Sequence, residues 1–325
     1  MTLTQPSVLS LPPSLPRLPP TGSLWRTDQL HAAGLNSRAI AALLHHRELI
    51  RLRYGCYIRA SLWDKQKPWV RSDQLILAHA HGTRTTSNGS YAYSHTSAAR
   101  IHGLFVWDAD DLVHVLLRTR PSSCRLGKDV RGHTRPFSEA DIVTVRGLRV
   151  TSLERTAVDC ALTLNYRQSL IIMDNALRQG ADPLRIQEMA EAVPGRRGVK
   201  NLRRVLENAD PLSESAGETL TRELLQRLRL PMPEIQLEVI SRAGRHRMDF
   251  GWKERRIALE FDGKTKYFDY APTKEVLYRE RQRENALTED GWMFVRLIWQ
   301  DLFNEESFKA RIIAALRRRP EPHAS

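Results

Sequence analysis

Cysteine, acidic residues and long apolar runs are all scarce in this chain of 325 residues. The three cysteines, Cys56, Cys124 and Cys160, lie far apart, form no CxxC pair and match no zinc-ligand spacing. That excludes a disulfide framework, and each reads as a small buried hydrophobe suited to a reducing cytoplasm. No stretch approaches the ~18 apolar residues of a membrane span, so no membrane partner is expected. Residues 1–20 also lack the apolar core of a signal peptide. They carry one charge, Arg17, and prolines at 6, 12, 13, 16, 19 and 20. A tail so poor in buriable surface, residues 1–22, is expected to be disordered.

Hydrophobic residues make up 41% of the sequence, enough for ordinary packed cores, and the length predicts two or three domains. Against the shortage of acids stands a surplus of base: 50 Lys and Arg against 37 Asp and Glu, a formal net charge of +13. Such a surplus attracts polyanions, with counterion release as the usual gain. Without a long basic amphipathic helix, nucleic acid is favoured over an anionic membrane surface.

After the tail, residues 24–33 predict a short helix ended by Gly34. A second helix runs to about His46, capped by Asn36 or Ser37, with Ile40, Leu43 and Leu44 on one face. In residues 49–60 Ile50, Leu52 and Tyr54 alternate with Arg51 and Arg53, and Gly55 marks a turn between two strands. Helix, turn, helix and basic hairpin suit a winged helix-turn-helix over residues 23–65. Arg38 and Arg47 would then face a DNA groove, with Arg51 and Arg53 near phosphates.

Residues 66–210 read as a mixed α/β middle domain and linker. Helices are expected near 72–81, 94–103, 167–179 and 183–192, with a strand at 112–118. Within 146–162 a strand leads into a helix capped by Thr151 or Ser152, with Glu154 near the capping-box position. His79, His81, His95 and His102 match no metal spacing and read as structural. Asp159 and Asp174, on amphipathic helices, read as packing or hydrogen-bonding residues. Residues 194–205 are very basic, through Arg196, Arg197, Lys200, Arg203 and Arg204. They fit a nucleic-acid contact and a solvated linker helix equally well.

From residue 211 to 319 the pattern changes. A helix over 213–230, with Ser213 or Ser215 at its cap, is stopped by Pro231 and Pro233. Strands 234–242, 246–252 and 255–263 follow as an antiparallel meander. Strict alternation puts Ile257, Leu259 and Phe261 on one face of the third strand and Ala258, Glu260 and Asp262 on the other. A two-residue turn at 253–254 sets Asp249 opposite Ala258, on the Glu260 face and diagonal to Glu260. Cβ atoms so placed are roughly 7 Å apart, near enough for Asp249, Glu260 and Asp262 to converge on one divalent cation. Mg²⁺ is satisfied by about two carboxylates plus water and phosphate oxygens. The other reading of these acids is a solvated edge paired with nearby arginines.

Residues 213–303 resemble the very-short-patch-repair-type branch of the PD-(D/E)xK restriction-endonuclease superfamily. The resemblance rests on Glu218, Gln236, RMDF (247–250), EFDGKTKY (260–267), YRERQRENAL (278–287) and GWMFVRL (291–297). Residues 24–180 more loosely resemble the winged-helix and following domain of AbiEi-type antitoxins, through YGCYIRA (54–60), SHTSAARIHGL (94–104) and VTSLERTAVDCAL (150–162). The first resemblance implies Asp249 and Glu260 as ligands for Mg²⁺ or Mn²⁺, with Asp262 helping and Glu218 holding a metal water or orienting the site. The superfamily's usual lysine would fall at 262, where this chain has aspartate. Lys264 and Lys266 are the substitutes it offers, as general base or as charge stabiliser. In the basic helix 274–289, Arg279 and Arg283 lie four apart and can bind phosphate, or join i,i+4 pairs on a solvated face.

The expected fold is thus α/β, of several domains: an N-terminal winged helix-turn-helix, a mixed middle domain, and a C-terminal restriction-endonuclease-like αβββαβ core, with residues 320–325 a tail. The expected function is Mg²⁺-dependent DNA cleavage in the cytoplasm. Its alternative is an antitoxin-like regulator with a degenerate nuclease domain. DNA is the expected partner. A homodimer follows from the habit of winged-helix regulators, and a toxin or defence-system partner from the antitoxin resemblance.

Overall fold

A computed structural model describes residues 16–19, 24–83, 91–119, 126–242, 244–263, 282 and 284–318. The expected disordered tail falls mostly outside them, as do Lys264, Lys266, Arg279 and Arg283. The chain is a mixed α/β protein. It divides into two units, each built from several stretches of sequence. The first takes Met1–Tyr93, Asp111–Phe137 and Thr144–Val150; the second takes Ser94–Asp110, Ser138–Val143 and Thr151–Ser325. Residues 66–210 contribute to both.

The first unit opens with strand β1 (Leu24–Arg26), helices α1 (Thr27–Ala32) and α2 (Ser37–His45), and hairpin strands β2 (Leu49–Arg53) and β3 (Cys56–Arg59). The predicted helix 24–33 is therefore short by three residues. Leu24 to Arg26 pair antiparallel with Ile58 to Cys56 instead, which buries Trp25 against Leu30, Leu43 and Tyr57. The strands run in the order β1-β3-β2. Asn36 caps α2 as expected, its side chain accepting from the Ala39 N–H at 2.9 Å. Gly55 turns the hairpin at φ +72, a conformation suited to glycine.

Helices α3 (Ala60–Lys65) and α4 (Pro68–Thr83) follow, and then a five-stranded sheet. Its strands are β4 (Tyr91–Tyr93), β5 (Val113–Leu117), β6 (Val130–Thr134), β7 (Ile142–Val145) and β8 (Leu148–Thr151), in the order β6-β5-β4-β8-β7. β5 is buried along its whole length, His114 included, which explains its largely apolar sequence; β4, β6 and β7 escape sequence patterning.

The second unit packs α5 (His95–His102), α6 (Leu153–Ala161), α7 (Tyr166–Arg178), α8 (Pro183–Glu191) and α9 (Val199–Asn208) around Ala99, Ala157, Leu170, Met173 and Leu202. Ser152 caps α6 by accepting from the Arg155 N–H. Next come α10 (Ala216–Arg227), strands β9 (Glu234–Ser241), β10 (Gly244–Trp252), β11 (Ile257–Phe261) and β12 (Met293–Leu297), and α11 (Glu305–Arg317). The sheet order is β12-β11-β10-β9, with the predicted antiparallel meander and β12 added parallel to β11. Phe250, Trp252, Ile257, Leu259 and Leu297 pack with Leu220 and Leu224 of α10 and Phe308 and Ile312 of α11. The other face carries Leu237, Met248 and Ala258 against Leu287 and Trp292. Among the described residues no helix is long and apolar enough to cross a membrane.

Candidate active site

Two local features separate the observed arrangement of these acids from the one drawn by strict alternation. The turn between β10 and β11 is longer than expected: Lys253–Arg255 form a 3-10 turn and Arg256 takes φ +50. Ladder pairs are Phe250↔Leu259, Gly251↔Ala258 and Trp252↔Ile257. Continued by one pair, this register sets Asp249 across from Glu260 instead of Ala258. Opposed Cβ atoms are ~5 Å apart, nearer than the diagonal expected from sequence.

The second feature is a break in alternation. Met248 and Phe250 are two apart on β10, yet they enter clusters on different faces of the sheet. Across the ladder Leu237 and Ile235 divide in the same way about Gln236. Gln236 has φ +54, in the left-handed region that a strand residue other than glycine rarely adopts. Such strain costs on the order of 1–3 kcal/mol and persists only where surrounding contacts hold it. Here the contact is explicit: Gln236 Nε2 donates to Glu218 Oε2 at 2.9 Å.

Glu218, in the first turn of α10, is buried with 6% of its surface exposed. It also accepts from the Glu214 N–H at 2.8 Å and from Ser215 Oγ at 2.8 Å. Burial, and next the charge of Asp249, push its pKa up to about 7 despite these hydrogen bonds. Asp249 is raised too, again by burial. The Phe261 N–H and Arg247 pull it down, and Glu214 pushes it up. Asp249 Oδ2 accepts from the Phe261 N–H at 2.8 Å, which ties it to the peptide linking Glu260 and Phe261.

Glu260 and Asp262 stand in a different local field. Arg296, the β12 neighbour of Glu260, places Nε 3.7 Å from Glu260 Oε2 and Nη2 2.7 Å from Glu284. Against the cost of burial, Glu284, Glu260 and Asp262 together raise the Arg296 pKa. Asp262 is exposed, and its N–H donates to Leu297 O at 2.7 Å. The expected diagonal between Asp249 and Glu260 is thus replaced by a direct opposition across the ladder; the leading charge acting on Glu218 is Asp249, while Glu260 and Asp262 act on Arg296. The tie from Asp249 to the Glu260–Phe261 peptide joins the two groups. Among the described residues no three of these carboxylates bring ligand oxygens within 4.8 Å of one another. They do not form a closed cage.

In the first unit, Arg38 and Arg51 are exposed. Arg47 is exposed too, with Nη2 3.8 Å from Asp64 Oδ1. Arg53 is instead a partly buried partner of Asp129. His79 is buried, its Nδ1 2.8 Å from Tyr93 Oη, and burial lowers its pKa to about 4. In the second unit His102 Nε2 lies 2.7 Å from Thr151 O. Both fit the structural role expected of them. Cys56 and Cys160 are buried, and burial raises both thiols.

No family model matches the chain. It is 30% identical over 268 residues to two proteins of Mycobacterium tuberculosis, uncharacterized protein MT2308 (strain CDC 1551 / Oshkosh) and uncharacterized protein Rv2248 (strain ATCC 25618 / H37Rv). The match covers 82% of this chain and 91% of either relative. The chain belongs to their family. Among solved structures, that of the RV2827C protein from Mycobacterium tuberculosis aligns with 67% of this chain and 83% of its own, at 15% identity and a TM-score of 0.38. So loose a likeness bears on neither fold nor site.

Four residues of this family member escape a reading of spacing alone. Glu214 accepts from Arg178 at 2.7 Å and Arg247 at 2.8 Å, and so carries a second acid to Asp249. Arg296 is legible only once β12 is known to lie parallel beside β11. His114 and His133 bring ring nitrogens 3.0 Å apart because β5 and β6 run parallel with Leu116 opposite His133. No single motif contains both.

Proposed function

We propose that this protein is a divalent-metal-dependent endonuclease-type hydrolase acting on DNA phosphodiesters. One observation carries the reading: Glu218 and Asp249 are pressed into one buried field with both pKa values raised, and Asp249 is tied to the peptide beside Glu260. Keeping such acids together costs stability unless a cation or a proton compensates them. The donors are all carboxylate oxygens, which suits hard Mg²⁺ or Mn²⁺ and not a thiolate- or imidazole-preferring ion.

In this reading Asp249 and Glu260 hold the ion, with Asp262 at the exposed rim. A bound ion supplies an activated water and neutralises phosphate charge. The protein's own residues do the rest. The Phe261 N–H fixes Asp249, and Gln236 and Ser215 fix Glu218. With a pKa of about 7, Glu218 can take up or release a proton near neutral pH. The net charge of +13 draws the polyanion in, and free, buried Cys56 and Cys160 suit a cytoplasmic setting.

A second reading has its own observation. Arg296 already faces Glu260, a protein cation where a metal would sit. With aspartate at 262, that fits a DNA-binding regulator without cleavage. Incubating supercoiled plasmid with the protein in Mg²⁺, Mn²⁺ or EDTA separates the two. Cleavage that needs metal and disappears in Asp249→Ala and Glu260→Ala supports the enzyme. Cleavage surviving both substitutions refutes this site, and salt-sensitive binding without cleavage in either metal supports the regulator.

A further inference from the structure

Helix α9 has two opposed faces. Val199, Leu202 and Val205 are buried, and Asn201 Nδ2 donates to Ala161 O at 2.8 Å, Leu164 O at 3.2 Å and Ser169 Oγ at 3.1 Å. Its entry is fixed by backbone contact. Gly198 has φ +88, and a Cβ there would stand 2.1 Å from Leu162 O, so only glycine fits. The helix is therefore clamped along its inner side.

The outer side is cationic. Arg196, Arg197, Lys200, Arg203 and Arg204 are all exposed. Positions 200, 203, 204 and 207 fall on one helical face, and Glu207 is the only acid among them. Arg204 lies over the Tyr166 ring at 3.8 Å, which holds its stem in place. Among the described residues, no carboxylate forms an ion pair with any of the five cations. Elsewhere in this unit arginines are heavily paired, as Arg155, Arg167, Arg222, Arg227 and Arg247 all are. Three of these charges lie on the clamped helix and two on the turn leading into it; unneutralised, they repel one another, a cost that a polyanion relieves.

We infer that the outer face of α9 and the turn leading into it, with Arg196, Arg197, Lys200 and Arg203 as contacts, form a docking surface for the phosphate backbone of duplex DNA. This rests on the DNA-acting reading for its partner but requires neither metal nor cleavage. Backbone contacts of this kind position a protein on DNA and read no sequence. Clamping fixes the helix backbone in place before binding, so only side-chain rotamer freedom is lost on docking.

Fluorescence anisotropy of the full chain with a labelled 30-bp duplex, in EDTA over a series of KCl concentrations, tests the surface. Each phosphate contact adds ~0.9 to the slope of log K against log salt, so neutralising four contacts lowers the slope by about 3 to 4. The expected result is that loss in Arg196→Gln/Arg197→Gln/Lys200→Gln/Arg203→Gln, with no comparable loss in Lys65→Gln/Arg229→Gln/Lys253→Gln/Lys309→Gln. An unchanged slope, or equal loss in both variants, overturns the proposal. So does a defect confined to single-stranded RNA or to anionic vesicles. Should the fourfold variant fail to fold, Lys200→Gln and Arg203→Gln alone are each expected to lower the slope by about 1. Slope loss in a protein that never cleaves DNA leaves the surface standing without the nuclease. Metal-dependent cleavage with an unchanged slope does the reverse.

Discussion

Replacing Glu218 by glutamine removes one charge from the buried acid field and nearly nothing from its volume. In the folded chain burial and Asp249 raise this carboxyl from 4.5 to about 7. Between those values the folded state binds more protons than the unfolded one. The stabilising contribution is therefore fully present below pH 4.5 and is lost as pH rises through about 7. At ~1.4 kcal/mol per pH unit the loss is on the order of 3 kcal/mol. Glutamine cannot titrate, so Glu218→Gln should lack this component. Its lost or mismatched hydrogen bonds to Gln236, Ser215 and Glu214 add a constant offset that does not vary with pH. The assay is urea unfolding of wild type and Glu218→Gln from pH 4.5 to 8 in EDTA. The difference in unfolding free energy should move by about 2–3 kcal/mol in favour of the variant across that range. Repeating the series with Mg²⁺ should shrink the movement, because a bound cation compensates the same charge. A difference that stays flat with pH refutes the claim that Glu218 is a strained, proton-hungry acid.

Two further substitutions test the frame around the site. Arg222 lies with Nη2 2.5 Å from Asp174 Oδ2, both fully buried, and Asp174 also accepts from Thr219 Oγ1 and the Asp210 N–H. Arg222→Ala should cost about 3–5 kcal/mol in urea unfolding, since it strands a buried carboxylate, and Asp174→Asn in that background should recover part of the loss. Gly217 precedes Glu218 on α10, and a Cβ there would stand 1.9 Å from Phe261 Cε1. Helix propensity favours Gly217→Ala by up to ~1 kcal/mol, but overpacking of ~1–3 kcal/mol should win, lowering the melting temperature and disturbing the Phe261 N–H that holds Asp249.

Much of the fold was legible because it rests on local chemistry. Asn36, Ser152 and Ser215 sit at helix starts and cap them. The meander β9-β10-β11 follows from period-two patterning between turn residues. The misplacements have physical causes. Leu24–Arg26 carry a helix-compatible pattern, yet β3 offers a strand edge that buries Trp25. The turn after Trp252 takes four residues because Arg256 adopts a left-handed conformation that no glycine or asparagine announces. Gln236 does the same inside a strand, and with it alternation fails at Asp249. The acids themselves could be picked out from composition and spacing. Their grouping could not, because it depends on Arg296 arriving from a strand more than thirty residues later.

Whether this carboxylate field holds a hard cation is measured most directly by Mn²⁺ binding, followed by calorimetry or by loss of the free-ion paramagnetic resonance signal near pH 7.5. Wild type should bind Mn²⁺, and both Asp249→Asn and Glu260→Gln, folded by circular dichroism, should lose that site. Undiminished Mn²⁺ binding in both variants, or none in the wild type, would contradict the account.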